Sequence, residues 1–299
     1  MSAADTPVFR AGTIALLGRP NVGKSTLLNA LVGTKLSITS RKPQTTRHRI
    51  QGIANQSDAQ YVFVDTPGFQ TRFRSALNSA MNRGIQLAQE EVDVLVIVVE
   101  AGRFGVEDQG IVSRLSKLRK PLILAVNKSD RVLPLKMLPF LREVSQAAIF
   151  DAIVPVSAQK RKGLDALLKA IRPFLPAQPA LHAEDALTDR SEGFLAAEFL
   201  REKLFRTLGD EVPYGISTII EKFEESPRLY RIFAGILVDK EPHKAIVIGK
   251  QGEQLKRIAT AARLDMERMF GRKVHLEVWV KVRRGWQDDV QVVKSLGYD

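Results

Sequence analysis

Residues 18–25, with the sequence GRPNVGKS, combine glycines, a lysine and a hydroxyl at a spacing that suits the binding of phosphate groups. Glycines let backbone N–H groups wrap around phosphates, Lys24 reaches the β- and γ-phosphates of a nucleotide, and the Ser25 hydroxyl binds Mg²⁺. The stretch lies between an apolar strand, TIALL, and a helix, STLLNALVG. Nucleotide contacts are therefore expected from Gly18, Arg19, Pro20, Asn21, Val22, Gly23, Lys24, Ser25 and Thr26. The loop alone also fits an ATPase or a chance match.

A second polar stretch, NKSD at residues 127–130, directly follows the apolar strand LILAV. The Asp130 carboxylate can accept hydrogen bonds from N1–H and the exocyclic amino group of guanine, whereas adenine offers no such pair of donors. We expect Lys128 to pack along the base, Asn127 to tie neighbouring loops together, and the Ala158 N–H to donate to guanine O6. The guanine contacts are expected from Asn127, Lys128, Ser129, Asp130, Ser157 and Ala158. Taken alone, each stretch also fits an ordinary polar turn.

A third stretch, VDTPG at residues 64–68, ends another strand. Asp65 is placed to bind Mg²⁺, mostly through water, and the Gly68 N–H is placed for the γ-phosphate. The nucleotide contacts here are expected from Asp65, Thr66, Pro67, Gly68 and Phe69. Between this turn and the first loop lies SITSRKPQTTRHR, a polar, basic segment in which Thr46, or failing that Thr45, should close onto Mg²⁺. The metal ligands are thus Ser25, Thr46 and Asp65, and the motifs in this order predict a GTPase that binds GTP or GDP with Mg²⁺.

The elements that must hold these motifs alternate between strands and helices over the first part of the chain. Apolar strands separated by helices predict an α/β domain with a mostly parallel sheet and helices on both faces. Three prolines in PFLPAQP end this pattern, so we expect a GTPase domain at residues 1–176 and a linker at 177–184. Residues 185–299 alternate helix, two strands, helix and strand, which predicts an α+β domain with helices on one face of a small sheet.

Composition narrows the class of partner. The net charge of +12 at pH 7 favours an anionic partner, either nucleic acid or an acidic lipid surface, although a solvated basic surface is the plainer alternative. The sequence contains no cysteine, which excludes disulfides and thiolate metal sites. No apolar run approaches the ~20 residues of a membrane span, and the first residues lack the pattern of a secretory signal. We therefore expect a cytoplasmic protein.

Together, GRPNVGKSTLLN, SRKPQTTRHR, DTPG, NKSD and SAQ resemble the translation-factor-like GTPases, and more closely the Era family of bacterial GTPases. The second half resembles the RNA-binding region of that family in LTDRSEGFLAAEFLREKLFR, PYGISTIIEKFEE, IVIGKQGEQLKRI and VHLEVWVKVRRGWQDD. The likeness covers nearly the whole chain. It implies that residues 185–299 form a type II KH domain, an RNA-binding fold, after the P-loop GTPase domain.

The resemblance gives a function to GKQG at residues 249–252, which is otherwise weak evidence for a nucleic-acid loop. It implies the GxxG loop of a KH domain, which grips the sugar-phosphate backbone of single-stranded RNA. RNA contacts are implied for Ile248, Gly249, Lys250, Gln251, Gly252, Lys256 and Arg257. The residues AIVIG before the loop favour a strand by propensity, whereas the resemblance implies a short helix there, and we follow the resemblance.

Hydrolysis requires a water held in line with the γ-phosphate. In Ras-like enzymes a glutamine after the DxxG motif holds it; here that position is Phe69, so slow intrinsic turnover is expected. An arginine from a partner would compensate, as would a K⁺ ion held by Asn21. Relatives activated by potassium carry asparagine at this position, so we favour K⁺, although Asn21 could simply cap the loop. Catalytic roles are thus expected for Asn21, Lys24, Thr46 and Gly68.

The resemblance implies a GTP-gated switch that binds the 3′ region of 16S ribosomal RNA, in the small subunit, and assists maturation of the 30S subunit. The alternative is a regulatory GTPase at the membrane surface, peripherally attached to the inner face of the cell membrane, with a C-terminal domain that docks protein or lipid. The basic residues Arg41, Lys42, Arg47 and Arg49 are expected to contact RNA or the C-terminal domain in one nucleotide state. No coiled-coil heptads are present, so a monomer is expected.

Overall fold

The computed structural model describes residues 8–68, 75–209 and 211–298. These residues form two compact units. The first contains residues 8–37, 49–68 and 85–189; the second contains residues 38–48, 75–84, 190–209 and 211–298. Each unit therefore draws on separate stretches of the chain. The domain limits expected from the proline-rich stretch stay a prediction.

The first unit is an α/β fold. Its elements in chain order are β1 (Arg10–Leu17), α1 (Lys24–Val32), β2 (Ile50–Gln56), β3 (Ala59–Asp65), α2 (Ala76–Glu91), β4 (Val94–Glu100), α3 (Val106–Leu115), β5 (Leu122–Asn127), α4 (Pro134–Ser145), β6 (Ala152–Pro155) and α5 (Leu164–Ile171). The part of α2 up to Gly84 belongs to the second unit. The strands form one sheet in the order β2-β3-β1-β4-β5-β6, in which β2 pairs antiparallel with β3 and the other neighbouring strands pair parallel.

Burial on both faces explains the unbroken apolar strands. In β4, the alternate residues Leu95, Ile97 and Val99 pack in one core cluster with residues of α2, α3 and α4. Val96 and Val98 point to the opposite face and are also fully buried. Apolar runs of this kind are typical of parallel sheets covered by helices on both sides, and the predicted fold class is confirmed.

Parallel strands bring the predicted motifs to one edge of this sheet. The strands β1, β3, β5 and β6 point the same way, so the loops after their carboxyl ends lie together. The glycine loop follows β1, Asp65 ends β3, Asn127 ends β5, and Ser157 follows β6. This edge is where open α/β sheets bind ligands.

The second unit is the α+β fold expected for a KH domain. Its further elements are α6 (Glu192–Thr207), β7 (Ile216–Glu225), β8 (Leu229–Val238), α7 (Glu241–Ile248), α8 (Glu253–Phe270), β9 (Lys273–Val282) and α9 (Val290–Ser295). The sheet order is β7-β8-β9, with β7 antiparallel and β9 parallel to β8. Alternate residues of β8, including Ile232 and Ile236, pack with Phe199 of α6 and Ala262 of α8 in one core.

Residues 245–249, AIVIG, form the end of α7 and its cap rather than a strand, as the family resemblance implied. Pro242 lies in the first turn, where a missing N–H costs nothing and the fixed φ angle favours a helix. Val247 is fully buried in the core of this unit. Tertiary packing and the proline therefore override the strand propensity of the local sequence.

Candidate functional site

The glycine loop closes around the side chain of Lys24, the first residue of α1. Lys24 Nζ donates to the carbonyl oxygens of Gly18, at 2.9 Å, and Arg19, at 3.1 Å. The side chain is buried, and this burial lowers the pKa of its ammonium group to about 8. Gly23 adopts a φ of 101°, and a Cβ there would lie 2.4 Å from Asn127 Nδ2, so only glycine fits. The loop is thus a pre-formed cradle centred on one ammonium group.

A hydroxyl and a carboxylate meet beside this cradle. Ser25 Oγ donates to Asp65 Oδ2 at 2.6 Å, and Ser37 Oγ donates to the same oxygen at 2.7 Å. Asp65 is fully buried. Hydroxyl and carboxylate oxygens are suitable ligands for Mg²⁺, which in nucleotide sites is bound by few protein ligands and several waters. The residues present therefore fit the predicted metal, and Ser37 is a member of the site that the sequence motifs did not indicate.

The side chain of Arg19 is held inside the protein. Its Nε lies 3.0 Å from both carboxylate oxygens of Asp108 at the start of α3, and its Nη2 lies 3.7 Å from Glu100 Oε2. Glu100 also pairs with Lys128 Nζ at 3.0 Å. The Arg19 side chain therefore stabilises the glycine loop through contacts inside the protein, and the backbone of the loop is left to bind a ligand. No motif pointed to Asp108, which lies 89 residues further along the chain.

Asn127 connects the loops of the expected guanine site. Its Nδ2 donates to the carbonyl of Val22 at 2.9 Å, and its Oδ1 accepts from the Ala158 N–H at 3.1 Å. The N–H that we expected to meet guanine O6 is thus bonded to Asn127 here. Ser157 Oγ donates to Asp130 Oδ1 at 2.5 Å, and this hydrogen bond lowers the pKa of the Asp130 carboxyl. A carboxylate held in its charged form is the acceptor that guanine requires.

The remaining residues of the expected nucleotide site also lie in the first unit. Thr66 Oγ1 donates to the carbonyl of Leu16 at 2.9 Å, so this hydroxyl supports the loop. A Cβ at Gly68 would lie 2.9 Å from Pro20 Cγ, which shows how closely the two loops approach. Lys128 Nζ donates to the carbonyl of Asn21 at 2.9 Å. Val22 and Pro67 are buried, and Thr26 and Ser129 are half-buried. Phe69 lies outside the described residues.

Residues 38–48, which contain Thr45 and Thr46, belong to the second unit. Thr45 Oγ1 lies 2.6 Å from Ser40 Oγ and donates to the carbonyl of Lys42 at 2.7 Å. Thr46 is buried, with 8% of its surface exposed. The role of Thr46 as a metal ligand stays a prediction.

We call residues 38–48 the docked segment, because side chains at both of its ends are built into the second unit. Ile38 is fully buried in the core cluster that contains Leu200 of α6. The Thr39 N–H donates to Glu202 Oε1 at 2.9 Å. His48 stacks on Tyr298, with ring centroids 4.2 Å apart, and packing lowers the pKa of its imidazole to about 4.

Two of the basic residues in the docked segment contact backbone carbonyls of the C-terminal part. Arg47 is 2% exposed, and its guanidinium donates to the carbonyls of Ile216 at 2.6 Å, Tyr214 at 2.9 Å and Pro213 at 3.2 Å. Lys42 Nζ donates to the carbonyl of Gly209 at 2.8 Å. Such contacts with the C-terminal domain were expected in one nucleotide state; their dependence on nucleotide stays a prediction. Arg49 instead pairs with Glu91 in the first unit, at 2.6 Å, and Arg41 is exposed.

The GKQG loop has a geometry that suits backbone recognition. Gly249 ends α7 with a φ of 72°, and a Cβ there would lie 2.6 Å from Gln254 Cβ. Gly252, with a φ of 80°, caps the first turn of α8. The N–H groups at the start of α8 point towards this loop, which favours phosphate. The cations Lys250, Lys256 and Arg257 are exposed around it, Gln251 is exposed, and Ile248 is partly buried.

A groove of about 350 Å³ leads away from the loop between α8 and β9, and we call it the α8–β9 groove. It is lined by Gly252, Leu255, Lys256, Ala259, Thr260, Arg263, Leu276 and Val278. Since β9 is an edge strand, part of its backbone N–H and C=O groups is unpaired on this side. Of the residues that line it, the sequence analysis had singled out Gly252 and Lys256.

Comparison with known proteins decides the family. A family model described as a 50S ribosome-binding GTPase matches residues 13–128, and one described as a KH domain matches residues 211–287. The protein named GTPase Era from Nitrosomonas eutropha is 54% identical over 293 residues, which is 97% of this chain and 98% of that protein. The chain belongs to the Era GTPase family. It is therefore a GTP-hydrolysing enzyme, as its motifs predicted, with a KH domain, as the family resemblance implied.

Two solved Era structures share this fold. A variant of Era from Aquifex aeolicus bound to GDP·AlF4⁻ is 38% identical and has a TM-score of 0.94, covering 97% of this chain and 99% of that chain. An Era bound to MgGDPNP and nucleotides 1506–1542 of 16S ribosomal RNA is also 38% identical, with a TM-score of 0.92 over the same shares. Within the part of the chain that the structure describes, no helix combines the length and apolar character that a membrane crossing demands.

Proposed function

We propose that this protein is a GTP-hydrolysing switch that binds the 3′ region of 16S ribosomal RNA and assists maturation of the 30S subunit. The observation that carries the proposal is a nucleotide cradle and a GxxG loop with its adjoining groove in one chain. The solved Era that holds both MgGDPNP and a 16S fragment supports it, because that chain and this one share their fold over 97% of the present sequence.

In the proposed mechanism, the first unit binds and orients the nucleotide. Lys24 would exchange its two carbonyl contacts for the β- and γ-phosphates, and Ser25, Asp65 and Thr46 would hold Mg²⁺. Mg²⁺, when bound, neutralises charge that develops on the phosphate oxygens. The Gly68 N–H donates to the γ-phosphate, and Asp130 selects guanine over adenine. Binding of the γ-phosphate then orders the loops that carry Thr46 and Gly68.

Potassium is the proposed activator of hydrolysis. Asn21 adopts a φ of 64° at the exposed tip of the glycine loop, a conformation that asparagine tolerates better than most residues. A cation held there would supply the positive charge that an arginine from a partner supplies in other GTPases. We expect faster hydrolysis in KCl than in NaCl at equal ionic strength, and the Asn21→Ala variant should lose this difference. Equal wild-type rates in both salts would remove potassium from the mechanism.

The proposed RNA contact runs from the GxxG loop into the α8–β9 groove. Lys250, Lys256 and Arg257 would neutralise phosphates, and the close approach at Gly249 admits the sugar-phosphate backbone. The apolar walls of the groove would take the bases. The strong positive charge of the whole chain assists association with RNA in a salt-dependent way.

The test is binding of a labelled oligonucleotide matching nucleotides 1506–1542 of 16S ribosomal RNA, compared with a scrambled sequence at one fixed salt concentration. Each RNA is measured with a non-hydrolysable GTP analogue and with GDP. We expect tighter binding of the matched sequence, and tightest with the GTP analogue. Equal binding of both sequences in both nucleotide states would overturn the proposal and leave a basic GTPase without an RNA target.

We further propose a monomeric, cytoplasmic protein with peripheral contact to the inner face of the cell membrane. Leu135 and Leu138 support the membrane contact, since they are 90% and 60% exposed on α4 beside Lys136. Cosedimentation with anionic vesicles tests it, with the Leu135→Ser variant as comparison. Binding that the matched RNA abolishes would assign the basic surface to RNA instead.

A further inference from the structure

Four charged side chains of alternating sign connect the loop after β1 with the loop after β5. Neighbouring members lie 3.0 Å, 3.7 Å and 3.0 Å apart, in the order Asp108, Arg19, Glu100 and Lys128. We call these four residues the ion-pair chain. Glu100 can stand between the two loops because it is the last residue of β4, and β4 lies between β1 and β5 in the sheet.

Asp108 determines where the guanidinium of Arg19 lies. Arg19 Nε faces both carboxylate oxygens of Asp108, whose side chain is only 2% exposed. The same carboxylate accepts from the Gly105 N–H at 3.1 Å, at the start of α3, where the helix dipole also favours a negative charge. Asp108 is therefore fixed by its own helix, and Arg19 is directed towards that helix.

Glu100 has one carboxylate oxygen between two cations. Its Oε2 lies 3.0 Å from Lys128 Nζ, which is within hydrogen-bond distance, and 3.7 Å from Arg19 Nη2, which is beyond it. Among the residues that the structure describes, the buried Nη2 of Arg19 has no hydrogen-bond acceptor. If Asp108 lost its charge, Arg19 would therefore compete with Lys128 for Glu100.

Lys128 is the member of the ion-pair chain that belongs to the expected guanine site. Besides the contact with Glu100, its Nζ donates to the carbonyl of Asn21 at 2.9 Å. These two contacts hold the side chain in the position from which it is expected to pack along the base. Without Glu100 one contact is left, and the lysine side chain gains rotamer freedom that it must lose again when guanine binds.

We propose that Asp108 is a positioning residue for the binding of guanine nucleotides. By holding Arg19, it leaves Glu100 to Lys128 and so keeps Lys128 ordered against the base. This role rests on the expected contact of Lys128 with the guanine ring. It differs from support of the glycine loop, because the effect of Asp108 reaches the base end of the nucleotide.

The test is a double-mutant cycle on the full-length protein. The dissociation constant of a fluorescent GDP analogue is measured for wild type, Asp108→Asn, Lys128→Ala and the double variant. Asparagine keeps the shape of the side chain and removes its charge, so GDP should bind Asp108→Asn about tenfold more weakly. The double variant should bind no more weakly than Lys128→Ala, because Asp108 acts through Lys128.

Two outcomes of this cycle overturn the inference in different ways. An equal loss from Asp108→Asn in both backgrounds would show that Asp108 acts on the glycine loop alone. A Lys128→Ala variant that binds GDP as wild type does would remove the expected Lys128 contact from the nucleotide site, and the role of Asp108 with it.

A rescue variant separates positioning from a general loss of structure. When Asp108→Asn is combined with Arg19→Gln, no guanidinium is left to compete for Glu100, and GDP affinity should recover. A combined variant that binds as weakly as Asp108→Asn would contradict the proposal. Glu100→Gln removes the pair with Lys128 directly and leaves the buried pair intact, so it should weaken GDP binding to the same extent. Wild-type affinity in Glu100→Gln would also overturn the inference.

Asp93→Asn is the matched control. Asp93 immediately precedes β4, at the opposite end of that strand from Glu100, and its carboxylate accepts from the Thr13 N–H at 2.7 Å and from the Thr13 hydroxyl at 3.0 Å. This variant also neutralises a carboxylate of the first unit and should keep the GDP affinity of wild type. A loss as large as that of Asp108→Asn would assign both effects to weakened packing of the unit and overturn the proposal.

Discussion

The ammonium group of Lys24 gives the nucleotide site a pH dependence at the scale of one residue. In the free protein burial lowers its pKa to about 8, whereas phosphate oxygens stabilise the charged form and raise the pKa when nucleotide is bound. Nucleotide binding at pH 8 and above must therefore take up a proton. We expect GDP affinity to be constant below pH 7.5 or so and to fall as the pH rises through ~8.

Calorimetry at pH 8 in two buffers of different ionisation enthalpy measures that proton uptake directly. At pH 6.5 the uptake should vanish, because Lys24 is then charged in both states. The Lys24→Arg variant should show no uptake at either pH, since arginine stays protonated. Identical apparent enthalpies for wild type in both buffers at pH 8 would contradict the prediction.

Arg47 has the largest expected effect on stability of the basic residues in the docked segment. It is buried and donates to three backbone carbonyls, which would be left without this donor in an Arg47→Ala variant. Because hydrogen bonds to a buried charged group are lost, we expect the free energy of unfolding to fall by about 2–4 kcal/mol. Arg41→Ala, at an exposed position of the same segment, should stay within about 0.5 kcal/mol of wild type.

Urea unfolding followed by tryptophan fluorescence measures this difference. The sequence has two tryptophans, Trp279 and Trp286, and both lie in the second unit. The fluorescence transition therefore reports the unit into which Arg47 is built. Equal shifts in Arg47→Ala and Arg41→Ala would contradict the prediction that the buried contacts of Arg47 stabilise that unit.

At the scale of elements, the sequence predicted most of the fold, because each strand and helix carries its own periodic pattern. The loop-forming residues Lys24 and Asp130 were also found, since their motifs are local and follow strands. Ser37 and Asp108 were not, because each reaches the site from a segment with no motif of its own. Only the folded backbone shows that Ser37 and Ser25 meet one oxygen of Asp65.

The strand propensity of AIVIG shows a different limit of local sequence. β-branched residues favour a strand, but Pro242 and the burial of Val247 decide for a helix. The docking of residues 38–48 could not be predicted from periodicity either, because a polar, basic segment has no apolar pattern. Its partners, such as Glu202, lie more than 150 residues further along the chain.

For the whole molecule, nucleotide selection and RNA binding should be separable. In an Asp130→Asn variant the amide opposes the amino group of guanine but complements xanthine, which has a carbonyl at that position. We expect GTP affinity to fall by at least about 10²-fold and XTP to be bound instead. The affinity of the nucleotide-free protein for the 1506–1542 fragment should be unchanged.

Competition assays with unlabelled GDP and XDP, using labelled GDP on wild type and labelled XDP on the variant, measure the change of base preference. The RNA assay is repeated without nucleotide. If XTP then restores tight RNA binding and GTP does not, the nucleotide effect on RNA passes through the first unit. A variant that loses RNA affinity without nucleotide would show that Asp130 acts on more than the guanine ring.

The interleaving of the two units has a consequence for biosynthesis. Residues 38–48 leave the ribosome early, whereas Leu200 and Glu202, which they meet, are made much later. Until then Ile38 has no core to enter, and Arg47 is exposed to water and to other polyanions in the cell. A truncated C-terminal fragment would conversely carry an empty position for Ile38 and a Glu202 carboxylate without its Thr39 donor. Because synthesis proceeds from the N-terminus, the second unit can be completed only after both residues 38–48 and the C-terminal part have been made.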